Sequence, residues 1–218
     1  MSKKVAVILA GSGVYDGSEL HEAVITLLAL DRNEAKVQCF APNISQLHVV
    51  NHLTGEVAEG ESRNVLVESA RIARGKVADV AELDVNDFDA LIIPGGFGAA
   101  KNLCDFALNG RDMTMNEAVL KAAQAFKGSA KPVGLMCIAP VMATAIFGAG
   151  VQCTIGNDTE TAEVLTAMGA EHINAEVNHV VVDEANKLVT TPAYMLAEHI
   201  SQAADAIEEL VERVLSLA

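Results

Sequence analysis

A cysteine stands where a buried strand is predicted to end and a helix to begin. The apolar run Pro132–Met136 leads into Cys137, and Pro140 then suits the first turn of a helix. This strand–turn–helix pattern is similar to a nucleophile elbow, although Leu135 stands where the G-x-S-x-G form has glycine. The positive end of the helix is expected to lower the pKa of the thiol. The alternative is a small buried core residue.

Two glycines are predicted to lie beside this cysteine. Gly95 and Gly96 follow the apolar strand Asp89–Ile93. Their backbone N–H groups, together with the N–H of Ile138, could bind an oxyanion that develops next to the Cys137 sulfur. The alternative is a turn that requires glycine only for its backbone conformation.

Glu22 is the candidate proton carrier. It lies in the first predicted helix, and the residues three and four positions later, Ile25 and Thr26, offer no basic partner. A desolvated carboxyl group has a raised pKa and can move a proton to or from a substrate. The alternative is a surface glutamate on a partly covered helix. Glu19 is explained more simply as the third residue after an Asp16 helix cap.

The glycine spacing of Gly11–Gly17 can cradle a dinucleotide phosphate, but the second strand ends without the acid that would bind a ribose. Asp31 falls before that strand. A tight turn is therefore the favoured interpretation, and a nucleotide-binding oxidoreductase is an alternative. The sequence predicts no cofactor.

The histidines and the remaining cysteines predict no metal site. His48 and His52 are four residues apart, but the segment between them is a poor helix former. Cys39, Cys104 and Cys153 are scattered, without a C-x-x-C pair, and are interpreted as core or surface thiols.

Composition excludes several classes of protein. The chain has 218 residues, 51% of them hydrophobic, and a formal net charge of −14. The apolar content excludes general disorder, and the negative charge argues against a nucleic-acid partner. No apolar run approaches the length of a membrane span. Isolated cysteines indicate reduced thiols, so we expect a cytoplasmic protein with one domain over residues 1–218.

Apolar strands alternate with helical segments along the chain. This order predicts an α/β fold with a mostly parallel sheet covered on both faces, and ligands at the carboxyl ends of its strands. In the first helix, capped by Asp16 or Ser18, the residues Leu20, Val24, Leu27 and Leu28 share one face. The predicted strands are Val5–Ala10, Lys36–Ala41, Asp89–Ile93, Pro132–Met136, Gln152–Ile155, Val177–Val182 and Lys187–Thr191.

Together these residues resemble the ThiJ/PfpI superfamily, whose members are relatives of class I glutamine amidotransferases. The resemblance covers nearly the whole chain in order. It implies a flavodoxin-like three-layer sandwich with a nucleophile elbow. Four stretches are similar to one branch of the family, the enhancing lycopene biosynthesis or glyoxalase ElbB branch of isoprenoid biosynthesis: Gly11–Gly17, His48–Glu56, Pro94–Gly98 and Leu188–Met195.

The resemblance also implies a function. Cys137 matches the nucleophile of the family, and Glu22 matches the protonated acid that hydrogen-bonds it. Gly96 and Ile138 match its backbone donors. The branch converts glyoxal, a small aldehyde substrate, to glycolate without a cofactor, and some relatives are described as deglycases. A homodimer is implied as well.

One departure from the family pattern bears on the mechanism. Many relatives have a histidine after the elbow helix, but Cys153–Asn157 contains none, which favours a Cys–Glu pair over a triad. Assistance from His52, His179 or Asn157 stays open. The segment Ala99–Asn116 is expected to form a lid or a subunit contact.

Two other functions remain as alternatives, besides the nucleotide-binding oxidoreductase. A thiol of low pKa also suits a redox sensor or a chaperone-like stress protein without turnover. An amidase or peptidase would use the same nucleophile but lacks a confident histidine.

Overall fold

The computed structural model describes residues 2–218. No helix in this part of the chain is long and apolar enough to cross a membrane. Its strands are β1 (Lys4–Ile8), β2 (Lys36–Ala41), β3 (Val50–Asn51), β4 (Glu56–Val57), β5 (Val77–Asp79), β6 (Ala90–Ile93), β7 (Val133–Met136), β8 (Gln152–Cys153), β9 (Glu171–His172), β10 (Val181–Asp183) and β11 (Leu188–Thr191).

The helices pack around these strands. They are α1 (Leu20–Arg32), α2 (Val65–Ile72), α3 (Phe106–Asn109), α4 (Glu117–Gly128), α5 (Ala143–Phe147), α6 (Thr159–Ala167) and α7 (Ile200–Leu217). Single 3₁₀ turns occupy Val80–Glu82, Val85–Asp87, Gly110–Asp112, Ala139–Met142 and Ala193–Met195, and Ala99–Leu103 forms a π-helical turn.

Seven strands form the central sheet in the order β10-β11-β7-β6-β1-β2-β5. All neighbouring pairs are parallel except β10 with β11, which form an antiparallel hairpin at one edge. The mostly parallel sheet predicted from the sequence is confirmed. The carboxyl ends of β1, β6 and β7 therefore lie side by side at one edge of the sheet.

The buried strands divide their side chains between two apolar layers. Along β6, Leu91 and Ile93 face the layer that contains Phe126 of α4, while Ile92 faces the layer that contains Leu210 of α7. The alternation follows from the two-residue period of a strand. It explains why these strands are apolar throughout, and it confirms the three-layer sandwich.

Helix α1 begins differently from the prediction. Its N-cap is Glu19, whose carboxylate accepts a hydrogen bond from the N–H of Glu22 at 2.7 Å. The predicted caps, Asp16 and Ser18, are used elsewhere because the loop before α1 folds back on the sheet: the Ser18 hydroxyl accepts the N–H of Ala10 at 2.8 Å.

The apolar face that the sequence predicts for α1 is not buried in the core. Leu20, Val24 and Leu28 share one side of the helix, as their spacing predicts, but they are 45%, 52% and 42% exposed. The helix turns a different face toward the sheet and α7. That buried face consists of Glu22, Ala23, Ile25, Thr26, Ala29 and Leu30.

Short elements account for the other differences. The predicted strand at Gln152–Ile155 is shorter and pairs with β9 in a separate two-stranded sheet. Strand β5, the β3–β4 hairpin and β9 were not predicted, because two or three residues are too few to show a period. The elbow helix begins as a 3₁₀ turn before α5.

Replacing Phe126 by alanine tests the packing of the α4 layer. Phe126 is fully buried, so Phe126→Ala should lower the free energy of unfolding by about 3–5 kcal/mol. Urea denaturation measures this change. Leu108→Ala is the control, since Leu108 is 62% exposed, and it should leave the free energy nearly unchanged. Equal effects of the two substitutions would contradict this description of the core.

Candidate active site

Cys137 lies at the turn that follows β7. Its backbone adopts the left-handed conformation, with φ of +59°, and its N–H donates to the carbonyl oxygen of Thr191 at 3.0 Å. A non-glycine residue in this conformation carries backbone strain, which concentrates at functional sites. The predicted sharp turn at the strand end is confirmed, and the side chain is 8% exposed.

The carboxyl group of Glu22 is fully buried and held by two backbone donors. Its Oε2 accepts the N–H of Gly95 at 2.9 Å, and its Oε1 accepts the N–H of Tyr194 at 3.2 Å. One donor follows β6 and the other follows β11, so two strand ends fix a side chain of α1. The predicted burial of Glu22 is confirmed.

The absence of a side chain at residue 95 leaves room for the thiol and the carboxyl group to lie side by side. A Cβ atom added to Gly95 would lie 2.4 Å from the Cβ of Cys137, 2.7 Å from Oε2 of Glu22 and 3.0 Å from Sγ of Cys137. The two functional groups therefore converge on the same small volume, and only glycine leaves that volume free.

This environment raises the pKa of Glu22 from 4.5 to about 7. Burial is the largest cause, and the nearby negative charge of Glu19 adds to it. Hydrogen bonds from the Tyr194 N–H, the Cys137 thiol and the Gly95 N–H act in the opposite direction. The direction of this shift is the one expected for a desolvated Glu22, and near neutral pH a group with such a pKa can both accept and release a proton.

The thiol of Cys137 does not have the low pKa expected from the sequence. Burial and then the charge of Glu22 raise its pKa well above the ordinary value, although the N–H groups of Gly96 and Ile138 favour the thiolate. The helix that follows offers little compensation, because it is a 3₁₀ turn leading into a helix of five residues. The thiol therefore keeps its proton at rest and needs a base beside it.

The three predicted backbone donors have two different roles. The N–H groups of Gly96 and Ile138 interact with the Cys137 sulfur, as the sequence predicts. The N–H of Gly95 donates to Glu22 instead, which corrects its assignment as an oxyanion donor. Gly96 has φ of +93°, and an added Cβ there would lie 2.3 Å from the backbone nitrogen of Glu19.

A cavity of about 500 Å³ opens next to the sulfur. Its walls come from the loops after β1 and β6, the elbow, and the starts of α1, α3 and α6. The lining residues are Val14, Glu19, Gly96, Phe97, Phe106, Cys137, Ile138, Asp158, Glu160, Thr161, Tyr194 and Met195.

Sequence reasoning missed much of this wall. Glu19 was predicted to be the third residue after an Asp16 cap; in the structure Glu19 is itself the N-cap of α1, and it also lines the cavity. Phe106 belongs to the segment Ala99–Asn116 and lines the cavity. The lid or subunit contact expected of that segment stays a prediction. Asp158 and Glu160 carry no sequence signal, because they are polar residues at the start of an ordinary helix.

The three candidate assisting residues lie elsewhere. Nε2 of His52 accepts the N–H of Tyr15 at 3.2 Å. The side chain of His179 is 62% exposed, and Asn157 is also exposed. Within residues 2–218, none of the three lines the cavity or contacts the Cys137 thiol. The structure leaves Cys137 and Glu22 as a pair.

The Gly11–Gly17 loop is a structural turn. The N–H of Gly11 donates to Ser69 Oγ at 3.0 Å, and the N–H of Gly13 donates to the Ser18 carbonyl at 2.9 Å. These amides are not available to cradle a phosphate. In the part of the chain that the structure describes, no three histidine, cysteine or acidic side chains cluster to hold a metal ion.

The fold and the site together define an α/β protein with a cysteine at a strand-end elbow and a buried acidic partner. The sequence pattern of the DJ-1/PfpI family matches residues 3–203, and the chain belongs to this family. The family resemblance stated from the sequence is confirmed.

Similar proteins extend over the same length. The chain is 48% identical over 223 aligned residues to the human glutamine amidotransferase-like class 1 domain-containing protein 3, mitochondrial, and covers 83% of it. A crystal structure of an isoprenoid biosynthesis protein with an amidotransferase-like domain from Ehrlichia chaffeensis superimposes with a TM-score of 0.91 at 37% identity, covering 99% of this chain and 100% of the other. Drosophila melanogaster DJ-1beta shares the fold, with a TM-score of 0.56 at 20% identity over 100% of this chain and 96% of the other.

The buried carboxyl group makes stability depend on pH. The pKa of Glu22 is about 7 in the folded protein against an ordinary 4.5, so its protonation stabilises the fold below that ordinary value. This stabilisation is lost as the pH rises through the folded pKa. Relative to Glu22→Gln, wild type should lose on the order of 3 kcal/mol of unfolding free energy between about pH 4 and about pH 8. Urea denaturation of both proteins measures the difference, and a difference independent of pH would contradict it.

Proposed function

We propose that the protein is a cofactor-independent glyoxalase that converts glyoxal to glycolate. The observation that carries the proposal is the convergence of the Cys137 thiol on a buried carboxyl group whose pKa is about 7. This conversion needs a nucleophile for one carbonyl carbon and a group that moves a proton between two adjacent carbons. The pair supplies both.

The proposed reaction proceeds through a covalent adduct. Glu22 takes the thiol proton while the Cys137 sulfur attacks one carbonyl of glyoxal. Glu22 then returns this proton to the adduct oxygen, which gives a hemithioacetal and leaves the carboxylate free to act again as a base. The N–H groups of Gly96 and Ile138 lie beside the sulfur, where the oxygen of the adduct develops negative charge. Glu22 then transfers a proton from the first carbon to the second through an enediol. The resulting thioester reacts with water, which releases glycolate and restores the thiol.

No external oxidant or reductant is needed in this sequence. One carbon of glyoxal is oxidised to the carboxylate level, and its neighbour is reduced to an alcohol. Glu22 is suited to both directions of proton transfer because its pKa lies near neutral pH. Deglycase activity would use the same first adduct.

Two alternatives are less well supported. Burial and the charge of Glu22 raise the pKa of the Cys137 thiol, which is opposite to the low thiol pKa on which the redox-sensor hypothesis was based. Amide hydrolysis by a Cys–His pair is not favoured either, because within residues 2–218 no histidine lines the cavity beside the sulfur.

Replacing the sulfur tests the nucleophile. Cys137→Ala should reduce conversion of glyoxal to glycolate to the uncatalysed background, because no adduct can form. Quantifying glycolate by chromatography measures the conversion. Cys39→Ala is the matched control: burial raises the pKa of the Cys39 thiol to about 11, and its substitution should leave the rate unchanged. Wild-type turnover by Cys137→Ala would refute the mechanism.

Replacing the acid tests the proton transfer. Glu22→Gln should lower kcat by about 10²–10⁴-fold, because glutamine cannot exchange a proton. Glu209→Gln makes the same change on the exposed side of α7 and should have no effect. Steady-state kinetics, with circular dichroism to confirm folding, compare the two. An unchanged kcat in Glu22→Gln would remove this residue from the chemistry.

The homodimer is also a proposal, and the exposed apolar stripe of α1 supports it. Leu20, Val24 and Leu28 form a continuous row on one face of this helix, which suits burial against a second copy of the chain. Sedimentation equilibrium should show a dimer for wild type and a monomer for Val24→Glu. A wild-type monomer at all concentrations would contradict the proposal.

The cytoplasmic location stays a prediction. The name of the human relative includes the word mitochondrial, which describes that protein. Fractionation of the source cells, followed by detection of the untagged protein with an antibody, tests the location directly. The single domain over residues 1–218 and the absence of nucleic-acid and membrane partners also stay predictions.

A further inference from the structure

The cavity beside Cys137 has an uneven distribution of charge. Three carboxylates line it, those of Glu19, Asp158 and Glu160. Of the described residues that line the cavity, none is a lysine, an arginine or a histidine. A ligand in this cavity therefore experiences a negative field, which adds to the formal net charge of −14 of the whole chain.

Glu19 is the most informative of the three carboxylates. Glu19 lines the cavity although the residue is only 9% exposed, and its Oε2 accepts the N–H of Glu22. Within residues 2–218, no group donates a hydrogen bond to its Oε1, and this oxygen is not among the buried side-chain atoms that lack a partner, so solvent reaches it. An oxygen of this kind at a cavity wall can accept a hydrogen bond from a ligand or lie beside its cationic group.

The other two carboxylates stand at the start of α6, on the outer rim of the cavity. Oδ1 of Asp158 accepts the N–H of Thr161 at 2.7 Å, and hydrogen bonds to Thr161 lower the pKa of Asp158. Asp158 is therefore charged at neutral pH. Glu160 is exposed, and α6 contains no basic residue that would neutralise either carboxylate.

Aromatic side chains complete the surroundings. Phe97, Phe106 and Tyr194 line the same cavity, and the face of an aromatic ring attracts a cation. The ammonium of Lys101 lies 5.7 Å from the centre of the Phe97 ring. That ammonium donates to the carbonyl oxygen of Tyr15 at 2.8 Å, and Lys101 does not line the cavity. The contact shows that this ring already accepts an ammonium group.

We infer that the site is selective for cationic substrates: 2-oxoaldehydes that carry an ammonium or guanidinium group, in preference to neutral or anionic ones. The reactive carbonyl would meet the Cys137 sulfur, and the cationic group would lie among Glu19, Asp158 and Glu160. The carbonyl chemistry rests on the proposed glyoxalase function, whereas the charge preference belongs to the cavity itself.

The reaction of such a substrate balances in the same way as that of glyoxal. The aldehyde carbon forms the bond to sulfur and is oxidised to a thioester, while the adjacent ketone carbon is reduced to an alcohol. Water then breaks the carbon–sulfur bond. The cationic group takes no part in these steps and provides only binding energy.

Charged thiol reagents test the preference without requiring turnover. A methanethiosulfonate with a trimethylammonium head and one with a sulfonate head form the same disulfide linkage to Cys137. Peptide mass spectrometry measures the rate of each reagent at Cys137, and each rate is divided by the rate of the same reagent with a small free thiol. The reagent ratio, that of the cationic to the anionic reagent, should be at least about ten at low ionic strength. High salt should reduce this ratio, because the rim carboxylates are exposed to solvent.

A matched pair of variants separates the local field from the net charge. Glu160→Gln removes a carboxylate from the cavity rim, and Glu163→Gln removes one from an exposed position of the same helix that does not line this cavity. The reagent ratio should fall about threefold in Glu160→Gln, further in Asp158→Asn/Glu160→Gln, and remain near the wild-type value in Glu163→Gln. Asparagine can still cap α6, so the double variant keeps its fold.

The outcomes distinguish this inference from the proposed function. A cation preference that falls only with the rim substitutions supports the inference, even if the protein does not convert glyoxal. A ratio near one, or equal losses in Glu160→Gln and Glu163→Gln, overturns it even if glyoxal is converted. With turnover established, kcat/KM for an arylglyoxal bearing a trimethylammonium group should exceed that for its sulfonate analogue by a similar factor, and the reverse order would also overturn it.

Discussion

A carboxyl group and a thiol share one small volume from which water is largely excluded, and the rest of the site depends on this constraint. The volume exists because β6 and β7 are neighbours whose carboxyl ends lie side by side, and because α1 returns over them. A side chain at residue 95 would fill it, since its Cβ would lie 2.4 Å from the Cβ of Cys137. Sheet topology and one glycine therefore determine the chemistry that the site can perform.

Burial of the thiol and the carboxyl group favours their protonated forms, and nearby backbone N–H groups oppose this effect. Burial raises the pKa of both Glu22 and Cys137 and so favours the protonated form of each group. Backbone N–H groups oppose this effect at both atoms, on the carboxyl oxygens from Gly95 and Tyr194 and on the sulfur from Gly96 and Ile138. These fixed dipoles need little reorganisation when charge develops, which is the condition for efficient catalysis in an apolar site.

The sequence was sufficient for the parts of the site that leave a local signal. Cys137 was found because an apolar strand ends at it, and Glu22 because no basic residue lies one turn later on its helix. The pKa of Cys137 was predicted in the wrong direction, because a strand-end position shows neither the depth of burial nor the charge of Glu22. Glu19 already had a local explanation as a capping residue.

The cavity was the least predictable part. Phe106, Asp158 and Tyr194 lie far apart in the chain, and only the packing of α3, α6 and the turn after β11 against the elbow brings them together. Tertiary packing also decides the orientation of α1. Leu20, Val24 and Leu28 follow a helical period, but α7 and the sheet cover the opposite side of the helix. Periodicity identifies a face, and tertiary packing decides which face is buried.

The most direct test of the account is the titration of the Glu22 carboxyl carbon by ¹³C nuclear magnetic resonance, assigned by its loss in Glu22→Gln. The account predicts a midpoint near 7 in wild type and a displaced midpoint in Cys137→Ala, because the two groups interact. A midpoint near the ordinary 4.5, or one that is the same with and without the sulfur, would show that the thiol and the carboxyl group are not coupled.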